Sequence, residues 1–130
     1  MDLNQVTLPA VDLPVSVAFY QRMGFRLIVD SPHYARFECP DGNATFSLHL
    51  VDSLLQENGF VVYFETDKLD QKYLELNRLG FVFSQSPRDE SWLWREARLN
   101  DPAGNVLCLY HAGGNRKFPP RRIDAKEQQQ

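Results

Sequence analysis

The side chains best suited to proton transfer in this sequence are His49 and Glu96, each within a run of alternating polar and apolar residues. An imidazole exchanges protons near neutral pH, and a carboxylate beside it can act as a partner acid or base. The alternative for His49 is a structural histidine satisfied by polar neighbours, and for Glu96 it is a solvated surface pair with Arg98. Acid/base catalysis by His49 and Glu96 is therefore one prediction from the sequence.

The thiol of Cys108 lies in the middle of the apolar segment 105–111. The other cysteine, Cys39, lies far along the chain, so the two form no C-x-x-C pattern typical of a metal or redox site. Strand alternation places His111 on the opposite face from Cys108, which separates the thiol from this imidazole. Cys108 is therefore predicted to line a cavity and not to act as a nucleophile.

Length and composition are those of one globular domain. The chain has 130 residues, of which 43% are hydrophobic and 24% are charged. A formal charge of −3 argues against nucleic acid as a partner, because phosphate binding needs a concentrated basic face. Neither an apolar signal region nor a run of about 18 apolar residues is present, so no membrane span is expected. These features predict a cytoplasmic protein with reduced cysteines.

The first half of the chain is predicted to form a strand, a helix and three further strands. Period-two alternation predicts a strand at the start of the chain, around residues 5–10. Asp12 is a suitable N-cap for the helix that follows, Pro14 suits its first turn, and Gly24 suits its C-terminal end. The three strand-like runs are 25–30, 34–39 and 44–51.

The second half repeats this order. The strand 60–66 is followed by Asp67 as the predicted N-cap of a helix that Gly80 ends. The apolar positions of that helix are Leu69, Tyr73 and Leu76. Three strands are predicted at 81–86, 92–99 and 105–111. The turn 40–43 also matches the turn 102–105, so the chain contains two copies of one module, each with a sheet face that must be covered.

The segments QVTLPAVDLPVSVAFYQRMGF and WREARLNDPAGNVLCLY resemble the vicinal oxygen chelate superfamily, which includes glyoxalase I, bleomycin-resistance proteins, fosfomycin-resistance enzymes and extradiol dioxygenases. The resemblance covers roughly residues 3–111, and Ala103 departs from the usual DPDGN turn. It implies an α+β fold in which two tandem βαβββ modules, at about 3–52 and 58–112, form a curved mixed sheet around a cleft. It also implies a homodimer and a cleft that binds a small molecule, often through a divalent metal.

The domain boundaries follow from this resemblance. We predict a single domain at residues 1–115 and a tail at 116–130, which is basic and proline-rich at first and polar at its end. Because the end of the tail lacks apolar periodicity, disorder is expected from about residue 124.

Alternation predicts which side chains face the cleft, because the face covered by helices must be apolar. The first module contributes Gln5, Thr7, Ser47 and His49. The second module contributes Phe60, Phe64, Trp94, Glu96, Arg98, Cys108 and Tyr110. In this prediction Tyr63 points towards the helix. Aromatic walls with a few polar groups are typical of a small-molecule site. For Phe60 and Phe64, packing in a collapsed core is the alternative.

The metal-ligand positions of the resembled family, carried over to this sequence, are Gln5, Ser47, Phe60 and Cys108. Phenylalanine has no donor atom, serine rarely ligates, and a lone thiol suits a hard cation poorly. We therefore predict no metal at the usual positions and no other cofactor. A shifted divalent site formed by Gln5, His49 and Glu96 is the alternative.

Three functions are compatible with these residues. The first is a metal-free protein that binds an aromatic or amphipathic small molecule, similar to bleomycin-resistance proteins, although a charge of −3 is small for a basic drug. The second is a lyase, isomerase or dioxygenase-type enzyme that uses His49 and Glu96, with or without a relocated metal. The third is an interaction module whose cleft is filled by its own side chains.

Overall fold

The computed structural model describes residues 1–53 and 60–123, and the chain divides into two compact units. Unit one comprises Met1–Val61 with Asn100–Val106, and unit two comprises Val62–Leu99 with Leu107–Gln130. Each unit carries a four-stranded sheet, so the predicted α+β fold with two repeated modules is confirmed. The predicted disorder from residue 124 and the predicted start of module two at residue 58 lie outside the described residues.

The elements of unit one are β1 Gln5–Ala10, α1 Leu13–Met23, β2 Arg26–Asp30, β3 Tyr34–Glu38 and β4 Thr45–Leu50. Its strands lie in the order β1-β4-β3-β2, with β1 parallel to β4 and the other neighbours antiparallel. Pro9 lies in β1, at the edge of this sheet, where its missing N–H removes no ladder bond.

Helix α1 begins and ends where the sequence predicts. The Asp12 side chain accepts a hydrogen bond from Val15 N at 3.2 Å, which satisfies one free N–H of the first turn. Gly24 adopts a left-handed conformation with φ 109°, which closes the helix. The buried side of α1 then covers one face of the sheet through Tyr20 and Met23.

Tyr20 lies at the centre of the core between α1 and its sheet and is fully buried. Its ring packs edge-on against Phe25 and Phe46, with centroid distances of 5.9 and 4.7 Å. The hydroxyl of Tyr20 donates to Asp101 Oδ2 at 2.6 Å. Burial, with the carboxylate of Asp101 next, raises the pKa of Tyr20 far above its usual range, so this residue stays a hydrogen-bond donor.

The remaining elements are β5 Val61–Glu65, α2 Leu69–Arg78, β6 Phe83–Asp89, β7 Arg95–Asn100, β8 Val106–His111 and the short α3 Gly114–Lys117. The sheet of unit two has the order β5-β8-β7-β6, which repeats that of unit one. None of the helices within the described residues is long and apolar enough to cross a membrane.

In this half the predicted cap of α2, the predicted end of β6 and the predicted start of β7 are wrong, and β7 begins at Arg95 and not at residue 92. Helix α2 has Lys68 as its N-cap residue, without a side-chain capping bond, so Asp67 does not cap it. Strand β6 continues through Pro87 to Asp89, beyond its predicted end at Ser86. The longer strand is possible because β6 is an edge strand with register shifts in its pairing to β7, so the missing N–H of proline is tolerated.

The turn 101–105 between β7 and β8 belongs to unit one. The side chain of Asp101 accepts bonds from the backbone N–H groups of Ala103 and Asn105, each at 2.9 Å, in addition to that of Tyr20. Asn105 Nδ2 donates to Asp101 Oδ2 at 2.8 Å and to the carbonyl of Pro9 at 2.9 Å. These bonds fix the turn, and they join it to the end of the first strand.

Candidate functional site

Three aromatic rings are in mutual contact on one face of the second sheet, and we call them the aromatic cluster. Trp94, the residue directly before β7, stacks on Tyr110 of β8, with centroids 4.8 Å apart and an interplanar angle of 25°. Tyr63 on β5 lies edge-on to both rings, and its hydroxyl accepts from Arg98 Nη2 at 3.4 Å. Tyr110 is buried, whereas 43% of Tyr63 is exposed. The cluster thus has a packed base and an accessible rim that can stack on a planar group.

Glu96 lies on β7, two residues after Trp94, and is only 1% exposed. Its Oε1 accepts from Arg98 Nη2 at 3.2 Å and from the Cys108 thiol at 3.5 Å. Its Oε2 accepts from the indole N–H of Trp92 at 2.8 Å. Three donors therefore satisfy this buried carboxylate, and the guanidinium balances its charge. This enclosure favours a role for Glu96 in positioning its donors over proton transfer to a ligand.

Cys108 is fully buried beside Glu96. Burial, followed by the negative charge of Glu96, raises the pKa of the Cys108 thiol to about 12. At neutral pH the thiol is protonated and donates to the carboxylate, whereas a nucleophile would need the thiolate. These surroundings support the prediction that Cys108 lines the site and does not react.

On the first sheet, a chain of hydrogen bonds crosses β1, β4 and β3, and we call it the hydroxyl network. Gln5 accepts a bond from the Thr45 hydroxyl and donates through Nε2 to Ser47 Oγ at 2.6 Å. Ser47 Oγ lies 2.5 Å from the hydroxyl oxygen of Tyr34. Arg36 Nε donates to the same Tyr34 oxygen at 3.0 Å. The network therefore holds a tyrosine and an arginine in fixed positions on this face.

The direction of the bond between Ser47 and Tyr34 follows from burial. Ser47 is fully buried, and its oxygen already accepts a bond from Gln5. Among the described residues, the acceptor within reach of the Ser47 hydroxyl hydrogen is the Tyr34 oxygen. A buried hydroxyl hydrogen needs an acceptor, so Ser47 donates to Tyr34. The Tyr34 oxygen thus accepts two bonds. The bond to Ser47, and after it the bond and charge of Arg36, lower the pKa of the Tyr34 hydroxyl.

His49 and Thr7 lie on the same face as the hydroxyl network. His49 on β4 is the cross-strand partner of Tyr34, and Thr7 on β1 is the partner of Ser47. Both side chains are exposed. His49 belongs to unit one and Glu96 to unit two, so their joint action, in catalysis or in a shifted metal site, stays a prediction.

Strand β5 is where the predicted facing is wrong. The sequence predicts Phe60 and Phe64 on the polar face and Tyr63 against the helix. The ring contacts of Tyr63 with Trp94 and Tyr110 instead place Tyr63 on the polar face, and alternation then turns Phe64 to the opposite one. Phe60 lies before β5 and is 72% exposed. Residues 60–64 are all apolar or aromatic, so their alternation gives no facing signal.

The positions carried over from the metal ligands of the family do not form a donor set for a divalent cation. Gln5 and Ser47 bond to each other, Phe60 has no donor atom, and the raised pKa of Cys108 opposes the thiolate that a metal would bind. Across residues 1–53 and 60–123, no group of three or more His, Cys, Asp or Glu side chains is placed to hold a metal ion. The residues at these positions therefore do not fit the usual metal of the family.

The sequence interpretation missed four residues that the structure brings to these faces: Tyr34, Arg36, Tyr63 and Trp92. A signal existed for Arg36, because it alternates with the buried Ala35 and Phe37. Trp92 lies in the hairpin turn between β6 and β7, where Leu93 has a positive φ of 68°. Strand alternation gives no facing for a residue in such a turn.

A match to a protein-family model decides the classification. Residues 2–109 match the model described as Glyoxalase/Bleomycin resistance protein/Dioxygenase superfamily. The chain belongs to this superfamily. The resemblance found in the sequence is thereby confirmed. No significant match is found among curated proteins.

Solved structures show the same superfamily fold. A glyoxalase/bleomycin resistance protein/dioxygenase from Nocardioides aligns with TM-score 0.75 and 23% identity, covering 95% of this chain and 90% of that one. A bleomycin-binding protein complexed with bleomycin aligns with TM-score 0.72 and 22% identity, covering 85% and 98%. Lactoylglutathione lyase from Agrobacterium tumefaciens aligns with TM-score 0.71 and 18% identity, covering 90% and 96%. At these identities the similarity establishes the fold alone.

Proposed function

We propose that this superfamily member binds a small organic molecule through the aromatic cluster of unit two, without a metal at the usual positions of the family. The observation that carries the proposal is the accessible rim of Tyr63 and Trp94 beside the partly exposed Arg98. Fixed aromatic faces next to a few polar groups are typical of small-molecule sites. A superfamily neighbour that is complexed with bleomycin supports small-molecule binding as a use of this fold.

The geometry also indicates what the ligand must offer. Trp94 and Tyr63 present rings that stack on a planar group, and both are held by their contacts before a ligand arrives. Arg98 forms both of its side-chain bonds through Nη2, so Nη1 and Nε are without a bonded partner among the described residues. Glu96 balances the positive charge of Arg98, so the site favours a polar acceptor over a strong anion. We therefore expect a planar or amphipathic ligand with a hydrogen-bond acceptor.

The enzyme alternative has weaker support. Glu96 is enclosed by three donors and has little access to a ligand, which argues against it as a general acid or base. His49 is exposed, and its pairing with Glu96 stays a prediction. A homodimer and a cytoplasmic location likewise stay predictions.

Tryptophan fluorescence tests the proposed function directly, because both tryptophans of the chain lie at this site. A panel of planar aromatic compounds, bleomycin among them, is titrated into the full chain. At least one compound should change the fluorescence and saturate. Trp94→Leu should weaken its binding by at least tenfold, about 1.4 kcal/mol, with Trp92 as the remaining reporter.

Tyr73→Leu provides the matched control. Tyr73 on α2 packs edge-on against Phe83, with centroids 4.8 Å apart, and lies outside the aromatic cluster. Its substitution should leave ligand affinity within about twofold. The proposal fails if no compound of the panel binds, or if Trp94→Leu and Tyr73→Leu have equal effects.

A further inference from the structure

We propose that Tyr34 and Arg36 form a binding site for an oxyanion, the carboxylate or phosphate group of a small molecule, on the polar face of the first sheet. This site lies in unit one, so it is separate from the ligand site proposed above, which lies in unit two. The side chain of Arg36 is exposed, and its one hydrogen bond uses Nε. Both terminal nitrogens, Nη1 and Nη2, have no bonded partner among the described residues.

The hydroxyl network holds these two donors in place before any ligand binds. Tyr34 accepts from Ser47 at 2.5 Å and from Arg36 at 3.0 Å, so its own hydrogen is directed away from the network. The Arg36 guanidinium also lies over the Tyr34 ring, 5.4 Å from the centroid. An O–H donor thus lies beside a guanidinium fork, an arrangement that suits the two oxygens of a carboxylate or phosphate.

The charges around Arg36 leave its positive charge available. None of the carboxylates in the described residues forms an ion pair with it, whereas Arg98 and Arg95 both have acidic partners. Glu38 lies two residues along β3, but Arg26 is its direct cross-strand partner and opposes its charge. His49 lies across from Tyr34 and adds a further possible donor at this end of the face. An incoming anion therefore meets a net attraction at Arg36.

The experiment records the Nε–Hε signals of arginines in the uniformly ¹⁵N-labelled full chain, titrated with sodium phosphate and separately with sodium benzoate at constant ionic strength. The Arg36 signal is assigned by its absence from the Arg36→Gln variant. It should shift and saturate with a dissociation constant of about 1–10 mM for at least one probe. The probe that saturates at lower concentration distinguishes a phosphate from a carboxylate site.

Substitutions define the contributions of the two donors, with affinity in the variants followed by backbone amide shifts of β3. Arg36→Gln should weaken binding by at least about tenfold, and Tyr34→Phe by about fivefold while keeping the charge. Arg22→Gln, on α1 at the covered side of the sheet, removes the same charge and should leave affinity within about twofold. Shifts that fail to saturate with both probes, or equal losses in Arg22→Gln and Arg36→Gln, overturn the proposal. The assay reads unit one and not the tryptophans, so it is independent of the fluorescence test.

Discussion

The two halves of the duplicated fold place similar polar groups at similar positions and surround them differently. Each half has an arginine on its third strand, two residues after a hydrogen-bond acceptor, and a small hydroxyl or thiol on its fourth strand. These residues are Tyr34, Arg36 and Ser47 in the first half, and Glu96, Arg98 and Cys108 in the second. Because both halves contain this arrangement, the surroundings of the corresponding residues can be compared directly.

The two copies differ in the residue that accepts the hydrogen bond from the arginine. In the first half it is a neutral phenol, so the arginine beside it keeps an unbalanced charge at the surface. In the second half it is the buried Glu96, which balances Arg98 and is enclosed by the thiol and an indole. The first copy can thus attract an anion through Arg36. The second copy offers aromatic rings for stacking, next to an ion pair whose charges balance.

The turns of the duplication differ in the same way. Asn43, in the first copy, is exposed, whereas Asn105, in the second, is buried and bonds to Asp101 and to the carbonyl of Pro9. Both turns contain a glycine with positive φ, Gly42 at 74° and Gly104 at 86°. The two turns therefore share a glycine with positive φ, whereas the asparagine side chain is buried and hydrogen-bonded only in the second turn.

The largest expected effect comes from these paired asparagines. Asn105→Ala should lower the free energy of unfolding by about 3 kcal/mol, because it leaves the Pro9 carbonyl and the Asp101 carboxylate short of buried donors. Asn43→Ala should change it by less than about 0.5 kcal/mol, because Asn43 is exposed. Urea unfolding of both variants measures the difference. Equal losses would contradict the assigned role of the second turn.

The next largest effect concerns the two acceptors. Glu96→Ala should lower the free energy of unfolding by about 2 kcal/mol, since it leaves Arg98, Cys108 and Trp92 without their acceptor. Partial exposure of Arg98 keeps the loss below that of a fully buried pair. Tyr34→Phe should cost about 1 kcal/mol, because the buried Ser47 hydroxyl loses its acceptor whereas the exposed Arg36 can turn to water. A greater loss in Tyr34→Phe than in Glu96→Ala would reverse the comparison.

The smallest expected effect is a difference in thiol reactivity. A pKa of about 12 leaves roughly one Cys108 thiol in ten thousand as thiolate at pH 8, and the side chain is fully buried. Burial and the nearby Asp41 also raise the pKa of Cys39, but Cys39 is only partly buried. Iodoacetamide should therefore modify Cys108 at least about tenfold more slowly than Cys39, as followed by peptide mass spectrometry.

A pH series and one variant sharpen this result. Because the pKa of Cys108 is raised, its thiolate forms only as the pH rises towards 12, and its alkylation should accelerate over that range while the fold persists. Glu96→Gln removes the negative charge that contributes to the raised pKa, so it should speed the reaction. In concentrated urea both cysteines should react alike. If iodoacetamide modified Cys108 faster than Cys39 in the folded protein, the result would contradict the burial of the Cys108 thiol.

Much of the fold could be predicted because its signals are local. The Asp12 cap and the Gly24 end of α1 are set by side-chain and backbone geometry within a few residues. Alternation also gave the correct face for Ser47 and Glu96, where polar and apolar residues differ clearly. It failed on β5, where the residues directly before and after Tyr63 are both apolar and the contact with Trp94 decides the facing.

The side-chain bonds of the site could not be predicted from spacing alone. The acceptor of Arg36 is the hydroxyl of Tyr34, whose own position depends on Ser47 across the sheet. Glu96 looks like an acid or base in the sequence, and only its three donors show that it is enclosed. Such roles depend on distances between strands, which the sequence pattern does not contain.

The bond between Tyr20 and Asp101 has a consequence for the order of events during synthesis. The two residues are 81 positions apart, so the phenol leaves the ribosome long before the carboxylate that accepts its hydrogen. Until then, the centre of the first module holds a polar group without its native partner, and closing this loop requires most of the chain. The first module is thus completed by the last turn of the second, and we expect its nascent form to remain open to chaperones until that turn emerges.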